Sequence, residues 1–287
     1  KKSVNQNPGF LKLFDEIISN SADEHRRNGK LSRIDVTANK ESGKIIVKDN
    51  GGIPVVKHAI HGEWVPEMIF SNLKAGSNFD DSEDRLVAGT NGVGATLTNI
   101  FSSEFSIRTC DGKKEFLQVF QDNMRKRAEP VVKKKKASGF TEISYLPDYT
   151  QFKLTGLDED HIQMMRKRCA DLAACNPLLR VYFNKERFSY PSFSAYCRLY
   201  VDDVAYEGSE RWRIAIGASS GSLQQVSFVN GVATSDGGTH VDHVANQVVD
   251  AVRARLKKRH KVDLRPSEIK NHMFVFVSAD IGSGRYC

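Results

Sequence analysis

Several features of common protein classes are absent from this chain of 287 residues. It has five cysteines, but no two of them have the CxxC spacing of a structural zinc site. No apolar run reaches the roughly 18 residues that a membrane span requires. The first ten residues, KKSVNQNPGF, lack the apolar core of a secretory signal. These absences argue against a zinc protein, a membrane protein or a secreted protein, and they favour an intracellular protein with reduced thiols.

The common phosphate-binding loops are also absent. No GxxxxGK[ST] occurs, and the sequence SGKII at 42–46 has no serine or threonine after its lysine. The glycine-rich stretch GTNGVG at 89–94 has the order GxxGxG, whereas the dinucleotide-binding loop has GxGxxG. Two HxxH pairs, His58/His61 and His240/His243, lack a third ligand nearby and are interpreted as structural. A net charge of +7 permits an anionic partner such as nucleic acid without requiring one.

The segment FDEIISNSADE at 14–24 predicts an amphipathic helix with an unusually polar second face. Glu16, Asn20 and Asp23 have the spacing i, i+4, i+7 and share one side of that helix, with Glu24 at its edge. The apolar residues gather on the opposite side and predict the buried face: Phe10, Leu11, Phe14, Ile17 and Ile18. Taken alone, the polar face is either solvated or part of a site.

The remaining pattern predicts an α+β protein with two domains, residues 1–190 and 191–287. Strands are expected at IDVTA, KIIVKD, EFSIRTC, KEFLQVF and FTEISYLPD, and helices at GVGATLTNIFS and DEDHIQMMRKRCADLAAC. The polar segment AGSNFDDSEDR predicts a long loop of the kind that forms lids. A second sheet is expected to begin at SFSAYCRLYV and to continue through RWRIAIGAS, QQVSFVNGVATS and KNHMFVFVSADI. The run KKKK at 133–136 is interpreted as a solvated loop, with a DNA-phosphate contact as the alternative.

Three of these segments have side chains suited to a nucleotide. Asp49 ends a strand, and a carboxylate there can accept from an exocyclic amine such as that of adenine. Asn20 offers an amide oxygen, a donor type that Mg²⁺ accepts. Glu16, one helical turn from Asn20, can orient or deprotonate a water for attack on a phosphoryl group. The glycines of GTNGVG allow backbone N–H groups to approach a phosphate at a helix N-terminus.

Together, EIISNSADE, DNGGIP and GTNGVGATLTNIFS resemble the three nucleotide-binding motifs of the GHKL ATPases. SFVNGVATSDGGTH at 227–240 resembles the transducer signature of type IIA topoisomerases. AGSNFDD and NGVGATLTNIFS look closer to the eukaryotic and T-even phage topoisomerases than to bacterial gyrase. The resemblance implies a GHKL (Bergerat) α/β sandwich at 1–190 and a ribosomal-S5-like transducer domain at 191–287.

The resemblance also implies roles for individual residues. Glu16 is expected to be the general base, Asn20 the Mg²⁺ ligand and Asp49 the partner of adenine. Asp23 and Glu24 match the family motif and are expected to have supporting roles. The other expected nucleotide contacts are Ser77 and Asn78 to ribose and phosphate, Asn91, Gly92, Val93 and Gly94 to the triphosphate, Thr141 near the adenine-binding aspartate, and Gly52 and Ile53 beside it.

For the protein as a whole, the resemblance implies an ATP-operated clamp with ATP and Mg²⁺ as cofactors. Its expected partners are double-stranded DNA, a second copy of the chain on ATP binding, and a DNA-cleavage core. No membrane partner is expected. The expected location is the cytoplasm of a bacterial or phage-infected cell, or the nucleus of a eukaryote. The basic helix RARLKKRHK at 253–261 is either a DNA contact or a solvated face. The alternatives are a MutL-like or Hsp90-like clamp and a nucleotide-gated DNA-binding module with little hydrolysis.

The chain departs from the family pattern in two places. The family motif DxGxG is shortened to DNGGI, so that the two glycines are adjacent and Gly52 is expected to replace the second one. The lysine of the family's QTK motif does not occur before the end of the sequence at GSGRYC. Weak hydrolysis with retained nucleotide binding is therefore expected of this chain.

Overall fold

The computed structural model describes residues 5–73 and 93–282. Among them, residues 5–73, 93–173 and 178–189 form one compact unit, and residues 174–177 and 190–282 form another. None of the helices in these ranges is both long and apolar enough to cross a membrane. The expected assignment of residues 1–190 to a nucleotide-binding domain and 191–287 to a transducer domain stays a proposal.

The first unit combines a mixed sheet with helices. Its helices are α1 (Pro8–Asn28), α2 (Val65–Ser71), α3 (Gly94–Ile100) and α4 (Glu159–Cys175), and a 3₁₀ turn covers Tyr149–Phe152. Its strands are β1 (Arg33–Ala38), β2 (Ile45–Asp49), β3 (Ser102–Cys110), β4 (Lys114–Gln121), β5 (Lys126–Arg127), β6 (Val131–Lys134), β7 (Phe140–Pro147), β8 (Arg180–Phe183) and β9 (Glu186–Phe188). The strand order is β5-β4-β3-β7-β2-β1-β8-β9, and β6 also pairs with β4. The α+β fold class is confirmed.

Alternation of buried and more exposed residues shows that one face of this sheet is covered. Along β2, Ile45, Val47 and Asp49 are buried while the residues between them are more exposed. Along β7 the same alternation buries Thr141 and Ile143. Because side chains alternate between the two faces of a strand, Asp49 and Thr141 point to the same side as the apolar core. A carboxylate is thereby placed at the covered face of the sheet.

The predicted amphipathic helix is α1. The side chain of Asn7 accepts a hydrogen bond from the Phe10 N–H at 3.0 Å, and Pro8 occupies the first helical turn, where its missing N–H is harmless. Gly29 ends the helix with φ 65°, a conformation that glycine adopts at little cost. The expected apolar side is buried, except that Leu11 is only partly covered; the buried residues are Phe10, Leu13, Phe14, Ile17 and Ile18.

The second unit is a smaller sheet with three helices in its described part. Its elements are α5 (Phe193–Cys197), β10 (Val204–Gly208), β11 (Trp212–Ala218), β12 (Gln224–Val229), β13 (Val232–Ala233), α6 (Thr239–His260), α7 (Pro266–Lys270) and β14 (Met273–Ala279). The strand order is β10-β11-β14-β12-β13. β14 is buried at every position, which is consistent with its place in the middle of the sheet.

A hydrogen-bond network fixes the loop between β13 and α6. The Thr234 hydroxyl lies 2.5 Å from the Ser227 hydroxyl and 3.0 Å from Nε2 of His240. Gln225 Nε2 donates to the Thr234 carbonyl at 3.1 Å. Gly238, at the start of α6, has φ 142°, which side-chain-bearing residues rarely adopt. The polar residues of the 227–240 motif therefore hold this loop in shape.

Two local predictions are wrong. SFSAYCRLYV begins with helix α5 and not with a strand of the second sheet. Ser192 caps that helix by accepting from the Ala195 N–H at 3.2 Å, and the buried residues Phe193, Tyr196 and Cys197 follow the helical spacing i, i+3, i+4. The KKKK run is not simply a loop, because its first two lysines end strand β6.

Candidate functional site

The polar face of α1 presents a carboxylate and an amide one turn apart. Glu16 has 27% of its side chain exposed, and its Oε1 lies 2.7 Å from Lys12 Nζ. Burial lowers the pKa of Lys12, but its hydrogen bonds and the charges of Glu16 and Asp15 outweigh burial and leave that pKa above its usual value. Asn20 is exposed, and its side chain makes no hydrogen bond within the described residues. Both side chains can therefore reach a molecule from solution.

The two acidic residues further along α1 differ from each other. Asp23 is buried, with 5% of its surface exposed, although its spacing predicts the same side as Glu16 and Asn20. Glu24 is partly exposed and pairs with Arg27 at 3.0 Å. Their expected supporting roles stay predictions.

Asp49 is a buried carboxylate with several donors around it. Its Oδ2 accepts from the Ser21 hydroxyl at 2.7 Å, and its Oδ1 accepts from the Gly51 N–H at 2.9 Å. Burial raises the pKa of Asp49, although the hydrogen bonds from Ser21, Gly51 and the Thr141 backbone act in the opposite direction. An ionised carboxylate has about four acceptor positions, so three bonds leave one for a ligand. The side chain of Ser21 also links this strand end to α1.

Thr141 lies directly opposite Asp49 in the pairing of β2 with β7. Its hydroxyl is 3.1 Å from the Thr109 hydroxyl, and Thr109 Oγ1 accepts from the Ile53 N–H at 3.0 Å. Strand pairing and these hydrogen bonds therefore connect Thr141 to Asp49 and Ile53, which lie together in the distant DNGGIP motif.

The adjacent glycines after Asp49 are required by close backbone approaches. A Cβ on Gly52 would overlap the Cys110 carbonyl oxygen, and one on Gly139 would lie 2.7 Å from the Gly51 carbonyl oxygen. Gly51 itself sits against the Asp49 carboxylate, since a Cβ there would be 3.0 Å from Oδ1. The shortened DNGG motif is thus accommodated by packing Gly52 against the Cys110 backbone and Gly51 against the side chains of Asp49 and Leu31.

We expect Gly52→Ala to lower the free energy of unfolding by about 1–3 kcal/mol, because backbone atoms must move to admit the methyl group. Gly156→Ala is the matched control, since a Cβ there meets no atom within 4 Å and no positive φ is involved. The control should be neutral or stabilising by up to about 1 kcal/mol. Urea unfolding of both variants measures the difference, and equal stabilities would show that the Gly52 contact is unimportant.

Glu16 also faces the start of α3. A Cβ on Gly94 would overlap the Glu16 carboxylate, so Oε2 lies against the Gly94 backbone while Oε1 pairs with Lys12. Val93 precedes this helix, and its carbonyl accepts from the Leu97 N–H at 2.9 Å. The structure therefore brings the general-base candidate to the N-terminal end of α3, where backbone N–H groups are unpaired and favour anions.

Four expected contacts lie outside the described residues: Ser77, Asn78, Asn91 and Gly92. The same holds for the segment AGSNFDDSEDR, which the sequence predicts to be a lid. Their roles stay predictions.

Sequence reasoning missed several residues of this region. Lys12 pairs with Glu16, and its i, i+4 spacing on a helix could have revealed the pair. Ser21 and Gly51 both bind Asp49, and each lies inside a quoted motif, EIISNSADE or DNGGIP, although neither motif reveals the bond. Thr109 lies in β3, far from every motif, and only the strand register shows its proximity.

The side chains of the described residues would supply only some of the ligands that Mg²⁺ needs. The described residues hold no group of three or more histidine, cysteine, aspartate or glutamate side chains placed to bind a metal ion. Mg²⁺ often keeps waters and takes only one or two protein oxygens when substrate phosphates supply the rest. The exposed amide of Asn20 fits such a site, in which a polyphosphate is present.

Comparisons with known proteins agree with one another. The family described as DNA gyrase B matches residues 183–286. Among curated relatives, "DNA topoisomerase 2" of Arabidopsis thaliana is 39% identical over 297 residues, covering 97% of this chain and 20% of the relative. "Probable DNA topoisomerase 2" of Dictyostelium discoideum is 40% identical over 285 residues, covering 94% of this chain and 19% of the relative. The chain thus spans about a fifth of these relatives.

A solved structure extends the similarity to the fold. The ATPase region of Saccharomyces cerevisiae topoisomerase II superposes with a TM-score of 0.92 at 37% identity. The match covers 98% of this chain and 76% of the yeast one. The ATPase and transducer domains of DNA topoisomerase II from Balamuthia mandrillaris match with the same TM-score of 0.92, at 36% identity, over 98% of this chain and 74% of that one.

Proposed function

This chain belongs to the type IIA topoisomerase family, in its ATPase and transducer region, and from that premise we propose that it binds Mg·ATP and hydrolyses it to operate a DNA gate. Membership of this family implies that the chain binds a nucleotide. The observation that supports this site most strongly is the buried Asp49, which keeps one acceptor position beneath a helix that presents Glu16 and Asn20. The Hsp90-like and MutL-like alternatives are not needed, because the relatives are topoisomerases.

Adenine would bind at the Asp49 end of the site. The free acceptor position of Asp49 can take a hydrogen bond from the exocyclic amine, and the buried surroundings strengthen that bond. Thr141, Gly52 and Ile53 lie around Asp49 through the strand pairing and the bond to Thr109. They would shape the pocket beside the base.

The triphosphate would bind at the other end, near the start of α3. Val93 and Gly94 would offer backbone groups there, together with Asn91 and Gly92, while Ser77 and Asn78 would contact ribose and phosphate. Asn20 would hold Mg²⁺ through its amide oxygen. Bound Mg²⁺ would neutralise phosphate charge and orient the terminal phosphoryl group.

Glu16 would act as the general base. Its Oε1 pairs with Lys12, and its Oε2 lies against Gly94 at the start of α3, the end of the site where the triphosphate would bind. From there it can accept a proton from the attacking water, an effect that contributes about 10²–10⁴ in rate in other enzymes. Lys12 would act on the reaction through the position of Glu16.

At the level of the whole protein, we propose ATP-dependent passage of one DNA duplex through another. Residues 1–190 would close as a homodimer on ATP binding, residues 191–287 would relay the state to a DNA-cleavage core, and double-stranded DNA would be the substrate. This reaction would take place in the nucleus of a eukaryote or in the cytoplasm of a bacterial or phage-infected cell. The basic end of α6 would contact DNA phosphates.

The solution mass of the chain tests gate closure. Light scattering after size exclusion should give a monomer without nucleotide and a dimer with a non-hydrolysable ATP analogue and Mg²⁺. The analogue without Mg²⁺ is the control and should leave a larger monomer fraction. A mass that stays monomeric at saturating analogue would contradict nucleotide-driven dimerisation by this chain.

A further inference from the structure

One surface outside the nucleotide site concentrates positive charge. Residues 113–136 contain nine lysines and arginines against three acidic residues, an excess of six, while the whole chain has a net charge of +7. The other basic concentration, the end of α6, belongs to the second unit. An excess of this size within 24 consecutive positions raises the question of what it binds.

The fold assembles this charge along one edge of the large sheet. β4 pairs with β3 on one side, and both β5 and β6 pair with its other side. The Lys135 N–H donates to the Lys113 carbonyl at 2.8 Å, which extends the pairing beyond β6 and brings the β3–β4 turn beside the lysine run. Lys134 and Lys133 pair with Lys114 and Glu115 of β4, so the charge gathers beside this turn, within about three residues of β4 or roughly 10 Å.

Four lysines on this edge are exposed and lack an acidic partner. No carboxylate of the described residues lies within ion-pair distance of the group that we name the basic edge strip, Lys113, Lys133, Lys134 and Lys136. Glu115, the acidic residue of β4 opposite Lys133, already binds Arg108 at 2.8 Å and Lys135 at 2.9 Å. The strip therefore faces solvent with its full charge.

We propose that the basic edge strip binds the phosphate backbone of duplex DNA, a proposal that rests on the DNA-gate function above and adds a second DNA contact to it. Lysine ammonium groups are compact charges on flexible stems, which suit phosphates met without a fixed geometry. The part of the edge that carries the strip is as long as about three base pairs at 3.4 Å each. Nothing in the strip selects a base, so the contact would be independent of sequence.

Lysines also protect free sheet edges from pairing with other chains. That purpose alone would be served by one or two lysines on β6, and it does not account for Lys113 in the β3–β4 turn or for exposed Lys126 and Arg125 on the β5 side. The two explanations differ in what they predict for DNA.

The test measures DNA binding by fluorescence anisotropy with a labelled duplex of random sequence at several salt concentrations. The variant replaces the four lysines of the strip by glutamine. The slope of log K against log salt should become shallower by about 3 to 4, because each lost phosphate contact removes about 0.9. A second variant replaces the same lysines by glutamate, which keeps the edge charged and protected from aggregation, and it should bind DNA more weakly still.

The matched control replaces four lysines elsewhere in the first unit by glutamine: Lys40, Lys57, Lys153 and Lys185. The control has the same net charge as the glutamine variant but keeps the strip itself. Most of its salt slope should therefore remain. Equal slopes for the glutamine variant of the strip and this control would overturn the proposal. So would strip variants that bind DNA normally but lose binding to polyglutamate, since the strip would then accept acidic peptides.

Nucleotide binding by the same proteins separates the two proposals. The strip variants should bind a non-hydrolysable ATP analogue as the unchanged protein does. A shallower salt slope together with normal nucleotide binding supports DNA binding by the basic edge strip. A protein that never binds nucleotide would refute the proposed function while leaving the salt slopes interpretable.

Discussion

Replacing Glu16 by glutamine should reduce ATP turnover by about 10²–10⁴-fold while leaving the affinity for a non-hydrolysable ATP analogue nearly unchanged. Glutamine keeps the shape of the side chain next to Gly94 but cannot accept a proton from water. Uniform binding is therefore retained while an interaction made in the transition state is lost. Single-turnover hydrolysis and calorimetric binding of the analogue measure the two quantities.

Glu104→Gln is the matched control for this change. Glu104 pairs with Lys44 at 2.7 Å, the same distance as in the Glu16–Lys12 pair, at a surface position where loss of one charge has little effect. It should turn over ATP at close to the unchanged rate. If Glu16→Gln retained its turnover, another group would be the base; if it lost analogue binding, Glu16 would serve binding and not the chemical step.

Asp49→Asn should weaken ATP binding by about 10- to 150-fold, the equivalent of about 1.5–3 kcal/mol for a hydrogen bond to a charged group. An amide has about two acceptor positions where a carboxylate has about four, and the Gly51 and Thr141 N–H groups already require two. No acceptor then remains for the amine of adenine. The fold should persist, since the new NH₂ group can donate to the Ser21 hydroxyl.

GTP provides the selectivity test for Asp49, because guanine has a carbonyl where adenine has the amine. The unchanged protein should prefer ATP, and Asp49→Asn should lose most of that preference. Asp35→Asn is the control: Asp35 lies on the neighbouring strand β1 and pairs with Arg33 at 2.6 Å at the surface. An unchanged ATP-to-GTP ratio in Asp49→Asn would contradict the assignment of the adenine end.

Much of the fold follows from periodicity in the sequence. The helical stripe of Phe10, Phe14 and Ile17 predicts α1, and alternation in IDVTA and KIIVKD predicts β1 and β2, all of which the structure contains. Long elements with one buried face produce a strong pattern, because burial selects apolar residues at a fixed interval. The helices α3 and α4 were predicted from other signals, the glycine turn before α3 and the acidic first turn of α4.

Short elements and contacts across the fold were not predictable in this way. α5 is a single turn, so its helical spacing covers too few residues to be recognised. The aromatic residues of the same segment favour a strand. β6 ends in two lysines and lies at an edge, and edge position is a property of the sheet and not of the segment.

The site shows the same division. Glu16, Asn20 and Asp49 could be proposed from helical spacing and a strand end, together with the resemblance to a family. The bonds of Ser21 to Asp49 and of Thr109 to Thr141 join segments 28 and 32 positions apart, so only the folded chain shows them. The burial of Asp23 depends likewise on what packs over the last turns of α1.

Titration of the unchanged chain with a non-hydrolysable ATP analogue and Mg²⁺ in a calorimeter is the most direct test of the nucleotide site. Binding of one analogue per chain, weakened by removal of Mg²⁺, is the expected result. Absence of binding at millimolar analogue would contradict the assignment of α1, Asp49 and the start of α3 to a nucleotide site.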